Sequence, residues 1–169
     1  MSNSNKSLKV VHLISGLTIG GTELQLFRLL THMDQSLIRN SVISLIPGGA
    51  VADWLREAGI PVYSLGMKSG RPNIIGLLKL FWILRSERPQ ILQTWLYHAD
   101  LMGVIGAYLA HIPRLVWNIR CSDKDERYNR GLRGGVVKIL SYMSKFPDAV
   151  IVNSNAGRVL HESLGYKPP

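Results

Sequence analysis

Lys9-Val10-Val11-His12-Leu13-Ile14-Ser15 runs into Gly16-Leu17-Thr18-Ile19-Gly20-Gly21-Thr22-Glu23, and that into Leu24-Gln25-Leu26-Phe27-Arg28-Leu29-Leu30-Thr31-His32-Met33. The first segment is a continuous apolar run of strand length, and the second is a glycine-rich turn. In the third, Leu26, Leu29, Leu30 and Met33 recur at helical spacing, which predicts strand, turn and helix in succession. Thr22 and Gln25 have the form of a capping box, so the helix is expected to open at Thr22.

The same alternation continues to the end of the chain. Strands are expected over Asn40 to Ile46, Val62 to Leu65, Ile91 to Thr94, Leu115 to Ile119 and Ala149 to Asn153. Helices are expected over Val51 to Ala58, Asn73 to Glu87, Asp100 to Ala110, Gly131 to Lys145 and Asn155 to Leu164, with a charged loop from Arg120 to Arg130. Short apolar strands alternating with helices give a parallel sheet covered on both faces, an α/β doubly wound, Rossmann-like domain. Right-handed crossovers favour the strand order 3-2-1-4-5-6. Ligands of such sheets bind at the carboxyl ends of the strands near the switch point. That edge holds Gly16 to Glu23, Trp95 to His98, Asn118 to Ser122 and Asn153 to Asn155.

With 169 residues, 46% of them apolar and 18% charged, the chain reads as one globular domain with a frayed start at Met1 to Ser7. Its first apolar run is too short for a signal peptide, and its longest ones fall short of a membrane span. One cysteine, Cys121, excludes an intrachain disulfide and a multi-thiolate metal site. A cytoplasmic location is the simplest expectation. Twenty basic against eleven acidic residues give a net charge of +9. The excess gathers at Lys68 to Arg88 and at Arg120 to Lys145. A solvated basic surface, a phosphorylated substrate, an anionic membrane and nucleic acid all suit this charge. Nucleic acid suits it least, because the basic segments show no recognised nucleic-acid-binding module.

The opening turn reads G-x-x-x-G-G, which is neither the dinucleotide fingerprint nor a Walker A loop. What it offers is free amides at a helix N-terminus and glycines that let a ligand approach the backbone. A phosphate or a sugar fits that description, and so does a plain tight turn.

Gly20-Gly21-Thr22-Glu23 after a first strand resembles the G-G-x-E of glycosyltransferase family 4, the retaining GT-B enzymes. Pro89-Gln90-Ile91-Leu92-Gln93-Thr94 followed by His98 is similar to that family's P-D-h-h-h-s-H stretch, and Val150-Ile151-Val152-Asn153-Ser154 to its last N-terminal strand. Gln90 stands where the family usually has Asp, and Arg120 where it has an apolar-polar-His step. The resemblance implies the N-terminal, acceptor-side domain of a sugar-nucleotide-dependent, metal-independent transferase. The nucleotide-binding domain with its E-x7-E motif would follow Pro169, and this domain alone would not catalyse transfer. His98 would lie against the donor sugar, and Gly20, Gly21, Thr22 and Glu23 against donor phosphate or acceptor. Asn118, Arg120 and Ser154 would meet a glycan or lipid-linked acceptor in cell-surface polysaccharide or lipopolysaccharide synthesis. No cofactor or metal is expected, only the nucleotide-sugar substrate. A non-catalytic binding module and a sugar-nucleotide epimerase remain as alternatives on the same architecture.

Read from the residues alone, Glu23 also suits a helix-dipole partner, Arg120 a structural ion pair and Ser154 a helix cap. Asp123-Lys124-Asp125 has the D-x-D form that holds a divalent cation in unrelated transferases, here within a basic loop. The helix from Asn73 to Glu87 carries more apolar residues than one buried face requires. With Lys68, Arg71 and Arg88 at its ends, it suits the surface of an anionic membrane.

Overall fold

The computed structural model describes residues 7–68, 73–120 and 132–169. Arg71, Cys121, the Asp123-Lys124-Asp125 triplet and the basic loop through Arg130 lie outside them. In chain order the elements are β1 (Leu8–Ile14), α1 (Gly21–His32), β2 (Ile38–Ser44), α2 (Ala50–Glu57), β3 (Val62–Ser64) and α3 (Ile74–Glu87). They are followed by β4 (Ile91–Trp95), α4 (Tyr97–Ala110), β5 (Arg114–Ile119), α5 (Leu132–Met143), β6 (Ala149–Val152) and α6 (Asn155–Ser163). The six strands form one sheet in the order β3-β2-β1-β4-β5-β6, every pair parallel, as the alternation predicts.

Successive side chains of a strand point to opposite faces, and the core divides accordingly. Val11, Leu13, Ile43, Leu92 and Trp117 meet Leu80, Leu84, Met102 and Leu140 of α3, α4 and α5. Ile14, Val42 and Trp95 meet Leu26, Leu30, Val51 and Leu55 of α1 and α2. Beyond Trp95 this second face opens: Ile151 of β6 is 46% exposed. Helix α4 lies close to both sheet and α3 because two of its inward residues are glycines. A Cβ on Gly106 would stand 2.7 Å from Leu80 Cδ2, and one on Gly103 would collide with Thr94.

Two features differ from the sequence reading. The expected capping box does not form: Gly20 is the N-cap of α1, without a side-chain cap, and Thr22 already lies inside the first turn. Gly20 adopts the extended conformation a cap requires, and Leu24 N–H closes the first helical bond on its carbonyl at 3.0 Å, two residues before a Thr22 cap would have allowed. Helix α4 begins at Tyr97 rather than Asp100, so Leu96 alone joins it to β4. The remaining boundaries differ by one or two residues, as fraying ends do.

Candidate functional site at the carboxyl edge of the sheet

The strand register fixes what stands together. Ser64, Ser44, Ile14, Trp95, Asn118 and Ile151 lie side by side in one row across the sheet. Just above that row, neighbouring strands deliver Gly16 from β1, Leu96 to His98 from β4, Arg120 from β5 and Ser154 from β6. With strands about 4.8 Å apart, β1 and β6 are roughly 14 Å from each other. The topology therefore gathers most of the residues singled out in the sequence onto one edge.

The glycine turn is braced from the side of β2. Gly49 holds a φ of +106°, and a Cβ there would run into the Leu17 carbonyl. Val51 N–H donates to that same carbonyl at 3.1 Å. Pro47-Gly48-Gly49 thus lies backbone to backbone against the turn. Gly20 is half-buried and Gly21 exposed, with nothing within 4 Å of where a Gly21 Cβ would be. The Glu23 carboxylate folds back over Gly20, so this helix N-terminus already has an acidic side chain beside it.

Arg120 leaves β5 but leans over β4. Its guanidinium carbon stands 4.9 Å from the centroid of the Trp95 ring, a cation–π arrangement. Arg120 Nε is buried without a hydrogen-bond partner among the described residues, and desolvation lowers the pKa of the group. Asn118, on the same strand face, is 2% exposed and its Oδ1 also lacks a partner there. Beneath them the Trp95 indole N–H donates to His12 Nδ1 at 3.2 Å, and His12 Nε2–H to Asn40 Oδ1 at 3.0 Å. Burial pushes His12 down to about 4, so it is a neutral, structural imidazole that ties β4, β1 and β2 together.

His98 is half-buried in the first turn of α4, at the positive end of that helix dipole. The joint before it is strained: Leu96 has φ +74° and ψ 151°, a region that only glycine visits freely. Leu96→Gly is therefore expected to raise stability by about 1 kcal/mol, read as a higher melting temperature. A lower one would mean that packing of the Leu96 side chain outweighs the torsional cost.

Ser154 is the N-cap of α6, its Oγ accepting from Gly157 N–H at 3.0 Å. One lone pair of that oxygen is engaged by the helix, which leaves the hydroxyl proton and the second lone pair to offer a ligand.

A family model described as Glycosyltransferase Family 4 matches residues 19–169. The chain belongs to glycosyltransferase family 4. Among solved structures, the crystal structure of Anabaena Alr3699/HepE in complex with UDP and glucose superposes with a TM-score of 0.76 at 18% identity. That match covers 95% of this chain and 42% of the Alr3699/HepE chain, and at this identity it shows a shared fold. No functionally curated protein gives a significant match.

Within this family-4 domain the sequence reading missed a polar cluster beside His98. Asp100 is 1% exposed and accepts from the Thr94 hydroxyl at 2.5 Å. Burial raises its pKa to about 8, against which the Thr94 hydrogen bond works. Next to it the Tyr97 hydroxyl donates to His161 Nε2 at 2.8 Å, and His161 Nδ1–H to the Gly157 carbonyl at 2.7 Å. Tyr166 packs edge-on against His161, with ring centroids 4.9 Å apart. These contacts clamp α6 to the N-terminus of α4. One signal was available: Asp100 is the only acid in an otherwise apolar helix.

Three cavities bounded by described residues lie at the opposite edge, among Pro89 and His111, Leu109 and Phe146, and Arg39 and Gly59. They border the amino ends of the strands and none touches the glycine turn. Among the described residues no group of three His, Cys, Asp or Glu side chains is placed to hold a metal ion.

Proposed function

We propose that this chain is the acceptor-side domain of a retaining glycosyltransferase that moves a sugar from a nucleotide-sugar donor to a glycan or lipid-linked acceptor. A second, nucleotide-binding domain would close over the carboxyl edge of the sheet. The observation that carries this reading is the juxtaposition at that edge. The glycine helix N-terminus at Gly20-Gly21, with the Glu23 carboxylate beside it, and a cationic fork at Arg120 stand on neighbouring and next-neighbouring strands, with His98 between them.

Each part has a chemical use in sugar transfer. The amides after Gly20 suit donor phosphate, whose negative charge grows as the glycosidic bond to the nucleotide breaks. His98, on a rigid helix end, suits contact with the donor sugar. Arg120 and the Asn118 oxygen, which has no partner among the described residues, suit an acceptor with both an anionic group and a hydroxyl. No metal is expected in this reading, in which backbone amides at the start of α1 meet the donor phosphate. The reaction belongs at the inner face of a membrane, in assembly of cell-surface polysaccharide or lipopolysaccharide. That a UDP and glucose complex exists for a protein of this fold supports a nucleotide-sugar donor.

The test uses the 169-residue chain with an isoprenyl diphosphate as the acceptor probe and UDP-glucose as the donor probe. The diphosphate is expected to bind, and Arg120→Ala to weaken it by about tenfold or more, the usual loss for a charge-assisted bond. Arg120→Lys, which keeps the charge but not the fork, should recover part of it. Sugar release or transfer by the chain alone should stay at background. Equal binding by wild type and Arg120→Ala, or turnover by this domain alone, would overturn the assignment.

A further inference from the structure

Helix α3 turns its apolar side to solvent. Ile74, Ile75, Leu78 and Trp82 are exposed by 67%, 67%, 53% and 68%, and three of them recur every four residues along one stripe. The opposite stripe, Gly76, Leu80 and Leu84, is buried, so the helix is apolar all round rather than amphipathic in the usual sense. Lys79 and Arg85 are exposed beside the outer stripe, and Lys68 and Arg88 flank its ends.

Among the described residues, the free charge on this side has one sign. The only acid in α3, Glu87, is held by Lys9 at 2.7 Å and by the Tyr63 hydroxyl. Asp100, the only acid of neighbouring α4, is buried, and α5 beyond it has none. What α4 and α5 expose beside it is apolar, aromatic or basic: Leu109, Ile139, Tyr108 at 82% exposure, Tyr142 at 71%, and Lys138. An exposed apolar stripe of this length marks an interaction surface rather than a solvated helix.

We propose that the outer face of α3, extended by α4 and α5, seats the domain on an anionic phospholipid bilayer. The 14-residue helix would lie in the plane of the interface. Trp82, Leu78 and the two isoleucines enter the boundary between headgroups and acyl chains, while Lys79, Arg85, Lys68 and Arg88 meet lipid phosphates. A second copy of the chain fits worse, because it would oppose these cations to their own images. No helix of the described residues is long and apolar enough to cross the membrane, so the mode is surface docking. The inference is independent of the transfer reading, since it requires neither donor nor acceptor.

The experiment is co-sedimentation of the chain with phosphatidylglycerol–phosphatidylcholine vesicles and with pure phosphatidylcholine vesicles, at low and high salt. Binding is expected on the anionic vesicles at low salt, weaker by about tenfold or more on neutral vesicles and on screening. Leu78→Glu with Trp82→Glu, both at exposed positions, should lose vesicle binding while thermal melting stays unchanged. Lys79→Gln with Arg85→Gln should weaken it by about fivefold per charge. The proposal is overturned if the chain fails to bind anionic vesicles at low salt, or if the double-Glu variant binds as well as wild type. A dimer that the double-Glu variant dissolves, without any vesicle binding, would assign the face to self-association instead.

Discussion

Gly49→Ala is expected to destabilise the domain by about 3 kcal/mol or more, whereas Gly48→Ala should cost only about 1 kcal/mol. Both glycines have positive φ, +106° and +75°, so both replacements incur a torsional penalty. The difference is what the new methyl group meets. At Gly48 there is nothing within 4 Å, and at Gly49 the Leu17 carbonyl stands in the way. Backbone cannot rotate aside as a side chain can, so either the Pro47 to Gly49 loop or the glycine turn must move. Moving them also pulls Val51 N–H off Leu17 and separates the start of α2 from the turn. Urea unfolding of the two variants beside wild type measures the contrast, and equal losses would show that the contact at Leu17 does not brace the turn.

The second large effect is on stability against pH. His12, buried at the centre of the sheet, titrates at about 4 in the folded chain against 6.5 when unfolded. Its contribution is complete above pH 6.5 and is lost as pH falls toward 4, because the unfolded chain takes up the proton first. Asp100 acts in the opposite sense: its pKa rises from 3.8 to about 8, so its contribution declines as pH rises through that range. Each effect is worth about 1.4 kcal/mol per pH unit, so between roughly pH 4 and 6.5 the two slopes offset each other. Above 6.5 only Asp100 remains, and stability should drop by about 2 kcal/mol on going to pH 8. Asp100→Asn keeps an oxygen for the Thr94 hydroxyl and cannot ionise. It should therefore be flat from pH 6.5 to 8 and more stable than wild type at the upper end. A wild type equally stable at both pH values would remove the argument.

The fold was legible because its signal is redundant. Apolar runs of strand length alternate with helical periodicity six times, and an error of two residues at one boundary leaves the alternation intact. Right-handed crossovers then favour the strand order that the sheet shows. Helix starts were less legible because they turn on single torsions. Thr22 and Gln25 spell a capping box, yet Gly20 can adopt the cap conformation first, and nothing in the letters ranks the two. Leu96 was harder still: a leucine at φ +74° has no sequence signature, so the first turn of α4 looked like loop. At the ligand edge, Gly20, His98 and Arg120 were placed by counting residues past each strand, and Asn118 by its place at the end of β5. The stacking of Arg120 on Trp95 was not, since it depends on the register of β4 against β5. The buried pair Thr94 and Asp100 was hidden for the same reason, six residues apart across a joint that the sequence does not reveal.

That joint has a mechanical consequence. A strand coupled to a helix through one strained residue has no spare torsions, so it behaves as a weld where a longer loop would act as a hinge. Any displacement of His98 relative to Trp95 would have to unwind the first turn of α4 or slide β4 along β1. Gly103 set against Thr94 and the clamp through Tyr97 and His161 resist both. The histidine is thus fixed in the frame of the sheet, and whatever it meets must be carried to it.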